Sequence, residues 1–218
     1  MRVSIVLLLL ISSLAPVAQD FEVENLEGPV PWSNLKANNK SERFQFAIVT
    51  DRTGGHRPGV FRDAINKLNL LQPEFVVSVG DLIEGYTEDR ERIAAEWNEF
   101  NGFIDNLQMP FFYLPGNHDY SNKVMADEWE KRFGPDYYHF KYQDVLFICL
   151  NSNVEMYKQY RYVRNVLDEE QDVKWTIVLI HHPLFTLPGN ENWYRIEELL
   201  KERKHTVFAG HNHRYVKY

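Results

Sequence analysis

Five short apolar segments, each ending in polar residues, constrain the fold of this chain more than any other feature. They lie at residues 44–49, 75–79, 111–114, 176–180 and 206–209. Within three residues, each is followed by Asp, Asn or His beside a small or helix-breaking residue. Strands buried on both faces have this continuous apolar pattern, and helices between such strands indicate crossover connections. The pattern therefore predicts an α/β fold.

Two of the intervening segments carry apolar residues at helical spacing. Residues 57–71 place Val60, Ala64 and Leu68 on one face, and residues 89–107 repeat the pattern. In open α/β sheets, ligands bind at the carboxyl ends of the strands. If the five strands are neighbours, we expect their polar loops to converge on one site.

The polar residues in these loops define the chemistry of that site. Carboxylates, imidazoles and a carboxamide, without thiolates, suit hard or borderline divalent ions. The single cysteine, Cys149, lies in an apolar run and excludes both a disulfide framework and a thiolate zinc site. The candidate residues are Asp51, Asp81, Asn117, His118, Asp119, His181, His211 and His213.

Three of these residues suggest specific roles. A shared carboxylate can bridge two ions about 3.5–4 Å apart, which polarise a phosphoryl oxygen and lower the pKa of a bound water. Asp81 is the natural bridge, because it is central in the order and follows a glycine that permits close approach. His118 stands beside Asp119, a carboxylate suited to keeping the imidazole protonated so that it can protonate a leaving alkoxide.

The amino-terminal segment is predicted to be a targeting sequence rather than part of the folded domain. Residues 1–19 contain one basic residue, Arg2, then an apolar run at 3–14 and small residues after it, as in a secretory signal peptide. The run is shorter than the roughly 20 residues of a membrane span, although an uncleaved anchor is the alternative. We expect export to the periplasm or the extracellular space. Residues 20–42 are interpreted as an arm or linker, and 43–218 as the domain.

Taken in order, the motifs resemble the ordered blocks of the calcineurin-like metallophosphoesterases. They are Asp-Arg-Thr at 51–53, Gly-Asp at 80–81, Gly-Asn-His-Asp at 116–119, His-His-Pro at 181–183 and Gly-His-Asn-His at 210–213. The resemblance implies a sandwich of two mixed β-sheets flanked by helices, in four αββα layers. It also implies a dinuclear metal centre at the strand ends, for which Mn, Fe or Zn suits the mixed ligands.

The resemblance further implies a role for each polar residue. One ion would be held by Asp51 and His213, and the other by Asn117, His181 and His211. Asp81 would bind both ions. His118 would be the general acid or a phosphate contact, and Asp119 would orient it.

The chain departs from the family pattern at two places. The family usually has a histidine ligand where this chain has Thr53, whose hydroxyl is a poor ligand, so we expect the first ion to be weakly held. His56, beyond two flexible glycines, is a candidate substitute; the alternative is a loop histidine without that role. The chain also ends five residues after His213, so either it is a fragment or its second sheet is small and incomplete.

These features predict an enzyme that hydrolyses a phosphate mono- or diester by a two-metal site, acting on a phosphorylated small molecule or a phosphodiester. A net charge of −7 argues against stable nucleic-acid binding. One alternative is a weakly active or inactive relic that binds metal or an anion and serves as a binding module. Another is an exported module with a structural metal and an aromatic partner-binding surface.

Overall fold

The computed structural model describes residues 21–37 and 43–217. The predicted signal peptide at residues 1–19 lies outside these ranges. Within them, no helix is both long and apolar enough to cross a membrane.

Eight strands and five α-helices form the described fold. In chain order the strands are β1 (Phe21–Val23), β2 (Phe46–Val49), β3 (Phe75–Ser78), β4 (Phe111–Phe112), β5 (Tyr138–Tyr142), β6 (Val145–Leu150), β7 (Trp175–Ile180) and β8 (His205–Ala209). The helices are α1 (Val60–Leu71), α2 (Arg90–Ile104), α3 (Lys123–Phe133), α4 (Met156–Glu169) and α5 (Glu191–Leu200). All five predicted strands are therefore present, as are the two predicted helices.

The strands form two sheets of different size. The larger has the order β1-β5-β6-β7-β8, with antiparallel pairs at the β1 side and parallel pairs from β6 to β8. The smaller has the order β2-β3-β4 and is parallel throughout. The larger sheet is mixed as expected, whereas the three named strands of the smaller sheet are all parallel to one another. Its strands are joined by the crossover helices α1 and α2, and crossover connections produce parallel pairs.

Three apolar clusters separate the layers and confirm the α/β sandwich. The strand β3 divides its side chains between two of them: Val76 faces α1, α2 and α3, whereas Phe75 and Val77 face the other sheet. This alternation is the period of two that a strand imposes. A third cluster lies between the larger sheet and helices α4 and α5. Helices therefore cover both outer faces of the paired sheets.

Part of the segment interpreted as an arm or linker is integral to the sandwich. Strand β1 pairs with β5 along its three residues, and Phe21 is only 3% exposed. Trp32 makes an isolated bridge to Phe112 of β4. The interpretation of residues 20–42 as loosely packed is therefore wrong for strand β1 and for Trp32. The aromatic side chains of this segment fill the space between the sheets, which offsets the entropy cost of ordering it.

Candidate metal centre

The polar loops come from both sheets. Asp51, Asp81 and Asn117 follow β2, β3 and β4 of the smaller sheet. His181 and His211 follow β7 and β8 of the larger sheet. Because the sheets stack face to face, the carboxyl ends of these five strands meet although they do not belong to one sheet.

Hydrogen bonds between side chain and backbone join the loops across the sheets. His181 Nδ1 donates to the backbone carbonyl of Val79 at 2.7 Å, and the backbone N–H of His211 donates to Asp51 Oδ1 at 2.9 Å. A metal-ligating histidine typically donates its other ring N–H in this way, which fixes the orientation of the ring. His181 Nε2 therefore faces the site.

Glycines permit this close approach. A Cβ at Gly80 would lie 2.5 Å from the backbone nitrogen of Gly116 and 2.7 Å from His181 Nδ1. A Cβ at Gly210 would lie 2.8 Å from Asp51 Oδ2. The small residues before the polar ones are thus a steric requirement of the site.

The backbone is strained where the polar side chains are presented. The φ angles of Asp51, Asp81, His211 and His213 are 50°, 60°, 70° and 48°. Residues other than glycine seldom adopt this left-handed conformation, and each such residue costs about 1–3 kcal/mol. Strain of this kind clusters at functional sites.

The first group of potential metal ligands consists of Asp51, Asp81 and His213. One donor atom of each lies within 4.8 Å of the others, and His213 Nε2 is 3.4 Å from Asp51 Oδ1. Thr53 is only 1% exposed, and its hydroxyl donates to the backbone carbonyl of Asp81 at 3.3 Å. His56 is exposed and belongs to neither this group nor the next. The structure therefore does not place His56 as a substitute for the histidine of the family.

The second group consists of His181, His182 and His211, again with donor atoms within 4.8 Å of one another. Asn117 Oδ1 lies 2.9 Å from both His181 Nε2 and His211 Nδ1. His182 was not among the expected ligands. Its ring lies 4.4 Å from that of His211, and its Nδ1 is 2.7 Å from the Ser152 hydroxyl.

Asp81 connects the two groups. Its side chain is almost fully buried, and Oδ2 lies 3.2 Å from His181 Nε2. Its other oxygen accepts the backbone N–H of His118 at 2.9 Å. Donor atoms around one ion at bonds of about 2.1 Å are separated by about 3 Å in octahedral geometry. The observed separations of 2.9–3.4 Å and the oxygen and imidazole donors both fit divalent ions.

The electrostatics of the site keep two of the imidazoles neutral. Burial lowers the pKa of His182 to about 4, and the charges of His181 and His211 act in the same direction. Burial and the charge of His181 also lower the pKa of His211. For Asp81, burial acts to raise the pKa, but its hydrogen bond with His181 outweighs this and the net pKa lies below the usual value. For His181, burial acts to lower the pKa, but its hydrogen bond with Asp81 outweighs this and the net pKa lies above the usual value. Neutral imidazoles and an ionised carboxylate are the forms that bind metals, so an ion binding here would displace a proton from His181.

Asp119 does not have the role expected from its position beside His118. Its fully buried carboxylate accepts backbone N–H groups at 2.8–3.0 Å. His118 Nδ1 instead donates to the carbonyl of Glu84 at 2.7 Å. Buried N–H groups require an acceptor, and in this turn the Asp119 carboxylate supplies it. The four donors are the backbone N–H groups of Asp81, Leu82, Ile83 and Gly116.

The ring of His118 reaches the first group of ligands. A Cβ built on Gly54 would lie 3.6 Å from His118 Nε2 and 3.3 Å from His213 Nε2, so both imidazoles approach the same point.

Tyr86 is a residue of the site that the sequence did not predict. Its hydroxyl accepts a hydrogen bond from Asn117 Nδ2 at 2.8 Å, and its ring centroid lies 4.8 Å from that of His118. The only sequence signal was the Gly85 before it, close to the Gly-Asp motif.

A four-layer α/β sandwich with carboxylates and histidines gathered at the strand ends is the architecture of a metal-dependent hydrolase. The family model for the calcineurin-like phosphoesterases matches residues 44–215, and the chain belongs to this family of phosphoester hydrolases. The resemblance seen in the sequence motifs is thereby confirmed.

Relatives and a solved structure agree with this assignment. The chain is 28% identical over 180 residues to the mouse serine/threonine-protein phosphatase CPPED1, covering 70% of this chain and 57% of the mouse protein. It is 32% identical over 105 residues to the uncharacterized metallophosphoesterase Cj0846 of Campylobacter jejuni, covering 47% of this chain and 25% of that protein. The match thus spans little more than half the length of CPPED1.

The fold is similar to that of a dimetal phosphatase from Danio rerio, with a TM-score of 0.60. The similarity covers 78% of this chain and 82% of that chain at 14% identity. At this identity the similarity concerns the fold.

Proposed function

We propose that this chain hydrolyses phosphate monoesters at a dinuclear metal centre. The position of Asp81 carries the proposal. Its carboxylate belongs to the group with Asp51 and His213, and one of its oxygens lies 3.2 Å from His181 of the second group. A carboxylate shared between two sets of donors is the arrangement that supports a pair of ions.

The first ion would have three protein ligands and the second would have four. Asp51, Asp81 and His213 would hold the first, whereas Asn117, His181 and His211 would hold the second together with Asp81. Divalent ions bound there supply Lewis acidity toward a phosphoryl oxygen and acidify water. Mn, Fe and Zn all suit the mixed ligands.

His118 acts on the leaving group in this proposal. Its Nδ1 is held by the carbonyl of Glu84 at 2.7 Å, which fixes the ring and leaves Nε2 directed to the site. Nε2 protonates the leaving alkoxide or contacts a phosphate oxygen. Because the glycine at position 54 has no side chain, the space in front of this nitrogen stays open.

The similarity to proteins described as phosphatases favours monoesters over diesters. The substrate class we propose is a phosphorylated small molecule, since the sequence predicts export and cytosolic phosphoproteins would then be out of reach. A phosphoserine peptide is the competing substrate, because CPPED1 is described as a serine/threonine-protein phosphatase.

The test combines metal binding with hydrolysis by the purified chain. With Mn²⁺ supplied, we expect about two ions per chain and turnover of p-nitrophenyl phosphate well above that of bis-p-nitrophenyl phosphate. Asp81→Asn should abolish both metal binding and turnover, whereas Asp63→Asn, at an exposed position of α1, should change neither. Fewer than about one ion per chain at saturating Mn²⁺ would favour the inactive relic.

We also propose that the protein is exported and that residues 1–19 are removed. The apolar run at 3–14 after Arg2 supports this. Sequencing the amino terminus of the protein recovered from cell fractions tests the proposal. An intact Met1 on protein from the cytosolic fraction would contradict it.

A further inference from the structure

Tyr86 contacts two residues of the candidate site through different parts of its side chain. The hydroxyl accepts a hydrogen bond from Asn117 Nδ2 at 2.8 Å. The ring packs edge-on against His118, with the centroids 4.8 Å apart and the planes at 83°. The residue is nevertheless 60% exposed, so burial of apolar surface does not account for its position.

The backbone holds Tyr86 in this position at a conformational cost. Its φ is 48°, in the left-handed region that an aromatic residue seldom occupies. Gly85, also at positive φ, passes so close to the carbonyl of His118 that a Cβ there would overlap it. The N–H of Gly85 donates to Glu96 at 2.8 Å, and Glu96 is paired with Arg92 of α2 at 2.7 Å. Helix α2 therefore anchors the turn that presents Tyr86.

We propose that Tyr86 is a positioning residue that acts on Asn117 through its hydroxyl and on His118 through its ring. The inference rests on the proposed function and deepens it, since neither the family motifs nor the donor groups include this residue.

The hydroxyl restrains the carboxamide of Asn117. With Nδ2 bonded to Tyr86, Oδ1 lies 2.9 Å from His181 Nε2 and from His211 Nδ1, where it can join them as a ligand. Without that bond the amide rotates more freely, and metal binding must then order it. Partners of this kind behind a ligand contribute about 10- to 100-fold to metal affinity.

The ring restrains the imidazole of His118. The Glu84 carbonyl fixes one ring nitrogen, but a single hydrogen bond leaves the ring free to tilt about it. The edge of Tyr86 blocks that tilt on one side. A general acid must point at the leaving oxygen, so this restraint affects esters whose leaving groups need a proton.

The first experiment measures metal affinity by titrating Mn²⁺ into metal-free protein and following binding calorimetrically. Tyr86→Phe keeps the ring and removes the hydroxyl, and it should weaken binding at one site by about 10-fold or more. The matched control is Tyr157→Phe, at an exposed tyrosine of α4, which should bind as wild type does. Equal affinities for the two variants would overturn the role of the hydroxyl.

The second experiment compares leaving groups. Tyr86→Leu removes the ring, and it should lower kcat for an alkyl phosphate at least about 10-fold more than for p-nitrophenyl phosphate, whose leaving group departs without a proton. Tyr86→Phe should preserve the wild-type ratio. Equal losses on both esters would overturn the role of the ring, and circular dichroism of each variant identifies a folding defect.

Different experimental results would contradict the proposed function and the role of Tyr86. Wild-type protein that binds no Mn²⁺ and hydrolyses no ester would overturn the proposed function, and with it this role of Tyr86. Wild-type protein that does both, alongside Tyr86 variants that match the control, would overturn only the role of Tyr86.

Discussion

The carboxylate of Asp119 shapes the site without touching a reacting group. It gathers backbone N–H groups from the turn after β3 and from the turn after β4. Burial and the nearby charge of Asp81 raise its pKa to about 7, against the lowering effect of those N–H donors. Its function is therefore to fix the backbone from which Asp81 projects.

Replacing Asp119 by Asn should destabilise the protein by about 2–4 kcal/mol. The amide offers one acceptor oxygen where two are used, and it turns an NH₂ group toward buried N–H donors, which are then left unsatisfied. Urea denaturation of the metal-free variant measures the loss. Unchanged stability combined with an altered pH profile of kcat would mean that Asp119 acts on His118 after all.

Thr53 tests whether the first ion is weakly held. Its hydroxyl is bonded to the carbonyl of Asp81, so Thr53→Val should change metal affinity by no more than about two-fold. Thr53→His should add an imidazole to the group of Asp51 and His213 and raise affinity by about tenfold or more. Calorimetric titration with Mn²⁺ distinguishes these results. A large loss in Thr53→Val would show that the hydroxyl is itself a ligand.

At this scale the sequence predicted which side chains meet but not how each is used. Donor type follows from residue type, so the metal chemistry was accessible. The directions of neighbouring side chains depend on the local turn. The contacts of Asp119 therefore differ from expectation, and Tyr86 was missed because its contacts depend on a strained φ.

At the scale of elements, strand β1 shows how a short segment is held in place. Beyond its pairing with β5, a polar cluster secures its end: Glu24 lies 2.8 Å from His139 Nδ1 and also accepts from the Tyr162 hydroxyl. Burial acts to raise the pKa of Glu24, but the hydrogen bonds from His139 and Tyr162 outweigh it, and the net pKa is lowered. The ionised carboxylate therefore stabilises the folded chain.

The sign of the shift gives a pH dependence. A carboxyl whose pKa is depressed by folding contributes stability above its unfolded pKa, and that contribution is lost as the pH falls through the folded value. Glu24→Gln should lower stability by about 1 kcal/mol at neutral pH, and the difference should shrink in acid. Thermal unfolding of both proteins from pH 7 to pH 3 measures it. A difference that grows toward acid would contradict the role of the carboxylate.

The sequence could not predict β1, because three residues give too little pattern and its partner lies more than 100 residues away. The five motif strands were predictable, since short continuous apolar runs bounded by turn residues are typical of buried strands. Helices α3, α4 and α5 were not predicted, although the buried residues Met125, Trp129 and Phe133 of α3 recur at helical spacing.

At the scale of the whole molecule, the site depends on two sheets packing through an aromatic layer. Phe75 of β3 lies with its ring centroid 5.2 Å from that of Phe147 and 5.6 Å from that of Phe112. Such contacts between distant segments decide which strand ends meet. The strand pattern alone therefore could not predict two sheets, which the family resemblance implied, and the assignment of each motif strand to one of the sheets was not predicted.

The central claim is that Asp81 lies between two ions, and anomalous diffraction from crystals grown with Mn²⁺ tests it most directly. We predict two anomalous peaks about 3.5–4 Å apart. One should lie beside Asp51 and His213, the other beside Asn117 and His181, with the Asp81 carboxylate between them. A single peak, or peaks that do not contact Asp81, would contradict the account.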